Sequence, residues 1–167
     1  MRPAPSVSRR SFLSGRHRAG PISQRPPWTD EARLTAACTT CGDCIAACPQ
    51  GILSPGHDGL PVLSFAEREC TLCGHCAEAC QQPIFGSRDG PAFSHMATIG
   101  EDCFAARGIH CQTCGDACPE TAIRFCLRLG GPPAPEVVAD SCNGCGACVA
   151  VCPANAIDMQ QMEIAVG

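Results

Sequence analysis

The sequence predicts a small α+β fold, two tandem modules behind a flexible amino-terminal arm. Three observations predict it. Sixteen of the 17 cysteines fall into four runs of nearly one spacing. A similar short stretch ending on an aliphatic residue follows each run: Pro49-Gln50-Gly51-Ile52, Gln81-Gln82-Pro83-Ile84, Pro119-Glu120-Thr121-Ala122-Ile123 and Pro153-Ala154-Asn155-Ala156-Ile157. Ahead of the first run, residues 1–33 are rich in Pro, Ser, Gly and Arg. Such a composition buries too little apolar surface to fold alone.

The first run is Cys38, Cys41, Cys44 and Cys48, followed by Pro49. The second is Cys70, Cys73, Cys76 and Cys80; the third is Cys103, Cys111, Cys114 and Cys118, followed by Pro119. The fourth is Cys142, Cys145, Cys148 and Cys152, followed by Pro153. The run C-x2-C-x2-C-x3-C-P is the one that holds [4Fe–4S] clusters in bacterial ferredoxins. A cubane needs three thiolates converging on one face of a small cage. Cysteines at every third residue of a tightly wound loop can turn three sulfurs inward, and Gly42, Gly74, Gly144 and Gly146 let the backbone close in. In two-cluster ferredoxins the fourth cysteine of a run ligates the other cluster. On that family pattern, which spacing alone does not establish, Cys38, Cys41, Cys44 and Cys80 form one set and Cys48, Cys70, Cys73 and Cys76 a second. Cys118, Cys142, Cys145 and Cys148 form a third, and Cys103, Cys111, Cys114 and Cys152 a fourth. The sixteen cysteines are thus the candidate iron ligands of four [4Fe–4S] clusters. Zinc is the competing metal, but structural zinc sites show separated C-x2-C pairs rather than unbroken runs. Disulfides would need an exported chain, and an odd cysteine count argues against them.

Two runs depart from the pattern. The second ends Cys80-Gln81-Gln82-Pro83, so its proline is displaced by two positions. The third carries seven residues, Phe104 to His110, between its first two cysteines, which predicts a more exposed or more labile site. Cys126 is left over, within Arg124-Phe125-Cys126-Leu127. It reads as a buried small hydrophobe. The sharper alternative is a substitute ligand if Cys103 does not reach.

The elements follow in order. Residues 1–33 form the basic arm, in which Trp28 is an anchor either to the body or to a partner. Residues 34–90 form the first two-cluster module, 91–102 a linker, 103–160 the second module and 161–167 a tail. Each module is a ferredoxin-like α+β unit. The stretches after the runs predict short helices or turns leading into strands at Pro61 to Phe65, Ala122 to Phe125, Val137 to Ala139 and Ala156 to Met159. Proline fits the start of such a helix because its missing N–H would be an orphan there.

Aromatic residues make up 4% of the chain and tyrosine is absent, so clusters and thiolates must supply much of what holds the fold, coupling metal binding to folding. Net charge is −4, and all twelve Lys/Arg-type charges are arginine, seven of them in residues 1–33. An oxidised cluster with four thiolates carries about −2, which takes the chain to about −12 with four clusters bound. A basic arm on an acidic body favours a partner with a basic docking face and excludes a nucleic-acid-binding core. Ser8-Arg9-Arg10-Ser11-Phe12-Leu13 matches a twin-arginine export signal. The polar Ser14-Gly15-Arg16-His17-Arg18 that follows is no apolar h-region. No stretch is long and apolar enough to span a membrane, so the expected location is cytoplasmic. No nucleotide loop or nucleophile–base pattern is present, and His17, His57, His75, His95 and His110 are scattered. The chain is therefore read as an electron carrier and not an enzyme.

The sequence resembles the NapF family, ferredoxin-type accessory proteins of periplasmic nitrate reductase systems. The resemblance rests on Arg9-Arg10 with Leu13, Gly15 and Arg16, then Arg25-Pro26-Pro27-Trp28. It continues through the four runs in this order, with Thr98-Ile99-Gly100 introducing the irregular third and Cys142-Asn143-Gly144-Cys145-Gly146-Ala147-Cys148 closing the match. It implies a cytoplasmic iron–sulfur protein that acts in maturation of the molybdenum-containing catalytic subunit of periplasmic nitrate reductase before export. The competing expectation is the electron-transfer subunit of a stable oxidoreductase complex.

Overall fold

The computed structural model describes residues 24–162. The twin-arginine-like segment and the tail from 163 onward lie outside the described residues. In chain order come helices α1 (Glu31–Ala37) and α2 (Asp43–Ala46), strands β1 (Leu53–Pro55) and β2 (Pro61–Leu63), and helix α3 (His75–Ala79). Strand β3 (His95–Ile99), helix α4 (Thr113–Asp116) and strands β4 (Ile123–Arg128) and β5 (Gly131–Val137) follow. A 3-10 turn (Ala139–Ser141), helix α5 (Ala147–Ala150) and strand β6 (Ile157–Gln161) close the order.

Helices α2 to α5 lie inside the four cysteine runs, and the segments after Pro49, Pro119 and Pro153 are turns. A helix of four or five residues does not hold on its own, since nucleation costs more than one turn returns. These turns persist because each aims buried cysteines inward: Cys44, Cys76, Cys114 and Cys148 are the buried residues of the four helices. The strand expected at Val137 to Ala139 lies earlier, at Gly131–Val137, where it pairs with β4; Ala139 instead opens the 3-10 turn.

Strands pair antiparallel in three two-stranded sheets: β1 with β2, β3 with β6 and β4 with β5. Leu53 faces Leu63, Ile99 faces Ile157, and Ile123 faces Val137. The stretch 91–102, expected to be a linker, contains β3. It pairs with β6, and its buried His95 and Ala97 point into the core. One apolar cluster joins Leu53, Leu63 and Phe65 to Phe93, Ile123 and Ile157.

The arm, expected to be disordered or loosely docked, is fixed to the body from residue 24 onward. Leu63 N–H donates to Gln24 O at 2.7 Å, and Arg25 pairs with Glu31 and Asp58. Trp28 anchors to the body: its N–H donates to Ala92 O at 2.7 Å, its carbonyl accepts from Gly86, and its indole Nε1 donates to Gly90 O at 3.3 Å. Asp30 caps α1 by accepting from Arg33 N–H at 3.0 Å, and Leu34 on that helix is fully buried. Burying such a side chain is worth about 1.5–3 kcal/mol.

Candidate iron–sulfur sites

Each run winds the same way locally. The residue before the second cysteine takes a left-handed conformation in three of the runs: Thr40 (φ 55°), Leu72 (φ 54°) and Gly144 (φ 75°). The residue after it does so again at Gly42, Gly74 and Gly146. Two left-handed residues flanking one cysteine coil the loop tightly enough for successive thiols to face one point. The third run lacks both features. Its helix is capped by Gln112 at φ −133° instead of a left-handed glycine. After the fourth cysteine, Gly51, Thr121 and Asn155 are left-handed and close a turn on Cys48, Cys118 and Cys152. The second run has no such turn, which fits its displaced proline.

This winding gathers the cysteines into four cavities. Site I is lined by Cys38, Cys41, Cys44 and Cys80. Site II is lined by Cys48, Cys70, Cys73 and Cys76. Site III is lined by Cys118, Cys142, Cys145 and Cys148. Site IV is lined by Cys103, Cys111, Cys114 and Cys152. Each cavity takes three cysteines from one run and its fourth from another, the first run exchanging with the second and the third with the fourth. Site IV draws its three from the long-gapped third run and adds Cys152 from the fourth. All sixteen candidate ligands are thus brought together in fours. All 17 cysteines are free. Among the described residues, no three His, Cys, Asp or Glu side chains close tightly enough to hold a single metal ion. The sulfurs stand around cavities rather than meeting at a point.

The cavity walls are apolar: Ile52 and Leu63 at site II, Ile99 and Ile157 at site IV, Ala97 and Met159 at site III. Burial pushes the Cys76 thiol up to about 12, with Cys70, Cys73 and Cys44 adding to it. Cys148 is likewise pushed up to about 12 by burial, then by Cys142, Cys145 and Cys114. Burial raises Cys70 to about 11 against the opposing Leu72 amide, with Cys73, Cys48 and Cys145 adding. Cys114 reaches about 11 through burial and then Cys103. Thiolates at these positions need a cation to balance them. Backbone amides already point at sulfur: Ala122 N–H to Cys118 Sγ and Ala156 N–H to Cys152 Sγ, both at 3.3 Å, and Thr40 N–H to Cys38 Sγ at 3.5 Å.

Two expectations change. Cys126 is not buried. It is exposed on β4, its Sγ donating to Glu136 Oε2 at 3.2 Å, and it lines none of the four cavities. Cys103 occupies the place in site IV instead. Site IV is also not the more exposed one. Cys41 and Cys73 are exposed in sites I and II, whereas every cysteine of site IV is buried or half-buried. The insertion folds back so that Ala105 is fully buried, and Arg128 Nη2 donates to the Ala105 carbonyl at 2.7 Å. His75 is exposed, as a loop histidine commonly is. His95 is different, and sequence reading missed it. It is 6% exposed and stacks on Phe93 with ring centres 4.5 Å apart. Its Nε2 lies 3.0 Å from Gly144 O; a carbonyl only accepts, so this nitrogen carries the proton. Burial lowers its pKa against the opposing hydrogen bond to Gly144 O.

Among the described residues, no helix is long and apolar enough to cross a membrane. The 4Fe-4S dicluster domain family matches residues 37–84, and the 4Fe-4S binding domain family matches residues 135–158. The chain is 45% identical to the ferredoxin-type protein NapF of Haemophilus influenzae over 95% of its own length and 96% of that protein. It is 40% identical to the protein of the same description in Escherichia coli strain K12, over 94% of its own length and 96% of that protein. One component of an ion-translocating oxidoreductase complex from Methanosarcina acetivorans is 40% identical over 75% of this chain, which covers 48% of that component. No solved structure matches.

Proposed function

Because the chain belongs to the NapF family of ferredoxin-type proteins, we propose that it holds four [4Fe–4S] clusters, one at each of sites I to IV, and acts on the catalytic molybdoenzyme subunit of periplasmic nitrate reductase in the cytoplasm before that subunit is exported. The observation that carries the reading is the gathering of sixteen cysteines into four alike cavities, each ringed by four thiols. Four soft sulfur donors suit zinc or an iron–sulfur cage, and sulfurs that stand around a cavity without closing on one point favour the cage. A bound cluster supplies a one-electron couple, with potentials across such sites spanning about −700 to +450 mV.

The chain's own groups do the rest. Left-handed Thr121 and Asn155 turn the Ala122 and Ala156 N–H groups onto the sulfurs of Cys118 and Cys152. Ile52, Leu63, Ile157 and Met159 keep water from the buried sulfurs. The sites offer no acid–base or nucleophilic pair, so the role is that of a carrier and maturation factor rather than an enzyme. Free thiols on every ligand suit a reducing compartment.

Seven arginines in residues 1–33 and a strongly negative body favour a transient, charge-steered encounter. The similarity to a component of an oxidoreductase complex favours a second reading, a permanent electron-transfer subunit. Co-purification of tagged protein with the nitrate reductase catalytic subunit separates them. The transient factor binds at low salt and is released by salt, because screening shortens the reach of charge. A complex that survives high salt supports the permanent subunit, and no association at any salt removes this partner.

A further inference from the structure

The two modules meet where site II adjoins site III, and that contact is built from backbone and aromatic groups. Cys70 N–H, from a site II residue, donates to the carbonyl of Cys145, a site III residue, at 2.8 Å. Phe65 of the first module packs edge-on against Phe93 and His95, with ring centres 6.2 Å and 5.9 Å away. All three rings are buried, at 4%, 8% and 6% exposure. Phe93 and His95 lie at and just before β3, in the stretch between the modules. His95 holds the carbonyl of Gly144, the residue immediately before Cys145. The loop has no slack there. A side chain at Gly144 would stand 2.7 Å from His95 O and 3.1 Å from Phe93 Cβ, and one at Gly146 would stand inside the Phe65 ring.

We infer that His95, with Phe93 and Phe65, is a positioning residue that clamps the Cys142–Cys148 loop onto the first module and so fixes sites II and III side by side as one unit. His95 lines none of the four cavities. It acts through the Gly144 carbonyl and its ring stack, with the Cys70–Cys145 hydrogen bond completing the contact. The inference rests on the reading that these sites hold clusters and adds that sites II and III are held together by a residue that lines neither cavity.

The test is the magnetic interaction between reduced clusters, read by EPR together with iron content. In a background carrying both Cys41→Ala and Cys111→Ala, sites I and IV are disrupted, so the remaining interaction is between sites II and III. The expected result is an interaction-broadened spectrum in this double variant. Adding His95→Ala removes the broadening with no further loss of iron, and His95→Gln, which restores an N–H donor to Gly144 O, recovers part of it. His95→Ala alone, with every ligand intact, should show slower spin relaxation than the parent at equal iron content. An unbroadened double-variant spectrum, or unchanged relaxation in His95→Ala, overturns the clamp. Loss of a whole cluster's iron in His95→Ala also overturns it, because the residue would then be needed for the site itself. If the parent protein binds no clusters, the failure lies in the cluster assignment, and that result is seen before any variant is made.

Discussion

Gly146 and Gly42 occupy the same place in their runs. Each follows a second cysteine, precedes a short helix and sits in the left-handed region, at φ +80° and +84°. Their surroundings differ. A Cβ on Gly42 meets nothing within 4 Å, whereas on Gly146 it falls on the Phe65 ring, 2.7 Å from Cε1 and nearer still to two other ring atoms. Phe65 is 4% exposed and wedged against Phe93 and His95, so the ring cannot swing away. Gly42→Ala therefore carries only the left-handed penalty of about 1–2 kcal/mol. Gly146→Ala carries that penalty and an overpacking cost of about 1–3 kcal/mol more. The shared part cancels in the comparison. The assay is the rate at which cluster absorbance is lost in denaturant under anaerobic conditions. If the clash is relieved before the unfolding barrier, the gap makes Gly146→Ala lose its clusters about 5- to 150-fold faster than Gly42→Ala. Equal rates, or a faster loss from Gly42→Ala, would refute the packing of Phe65 onto the fourth run.

Three further outcomes are expected. Cys103→Ser should lower iron by about four per chain, the content of one cubane, while Cys126→Ser should leave iron unchanged; the reverse pattern would show that the exposed thiol is the ligand. Loading with iron and sulfide should weaken as pH falls. Cys76, at about 12 by burial first, is a neutral thiol near neutrality and must give up its proton on binding iron, as must Cys70 at about 11. Affinity should therefore rise by up to about tenfold per pH unit for each proton released, up to those pKa values; a flat profile from about pH 6.5 to about pH 8.5 would contradict this. Replacing Arg9 and Arg10 with alanine should weaken low-salt association with the nitrate reductase catalytic subunit, and unchanged binding would remove the arm's docking role.

The grouping of the cysteines around cavities was legible in the sequence because in three of the runs it is a local property: three cysteines on one tight loop, with a left-handed glycine after the second, face one point whatever lies around them. Crossing of the fourth cysteine was legible only through the ferredoxin pattern. Pairing of β3 with β6 was not, since a five-residue strand of ordinary composition is chosen by a partner far along the chain. The same long-range contact hid His95, whose Gly144 and Phe65 neighbours come from separate segments. Cys126 was misjudged for a simpler reason. On a strand successive side chains face opposite sides, so with Ile123 buried and Phe125 half-buried, Arg124 and Cys126 must face outward. Insertion Phe104–His110 was legible as irregular, but the burial of Ala105 under Arg128 depends on a hairpin the run itself does not contain.

The central claim is four cubane sites on four cysteine quartets. Iron and acid-labile sulfide counts on anaerobically purified protein, with EPR of the reduced state, test it most directly. Four filled sites predict about sixteen iron and sixteen sulfide per chain with [4Fe–4S] signals, one cubane for each set of four thiolates. Zinc without sulfide, or iron well short of four cubanes after full reconstitution, would contradict it.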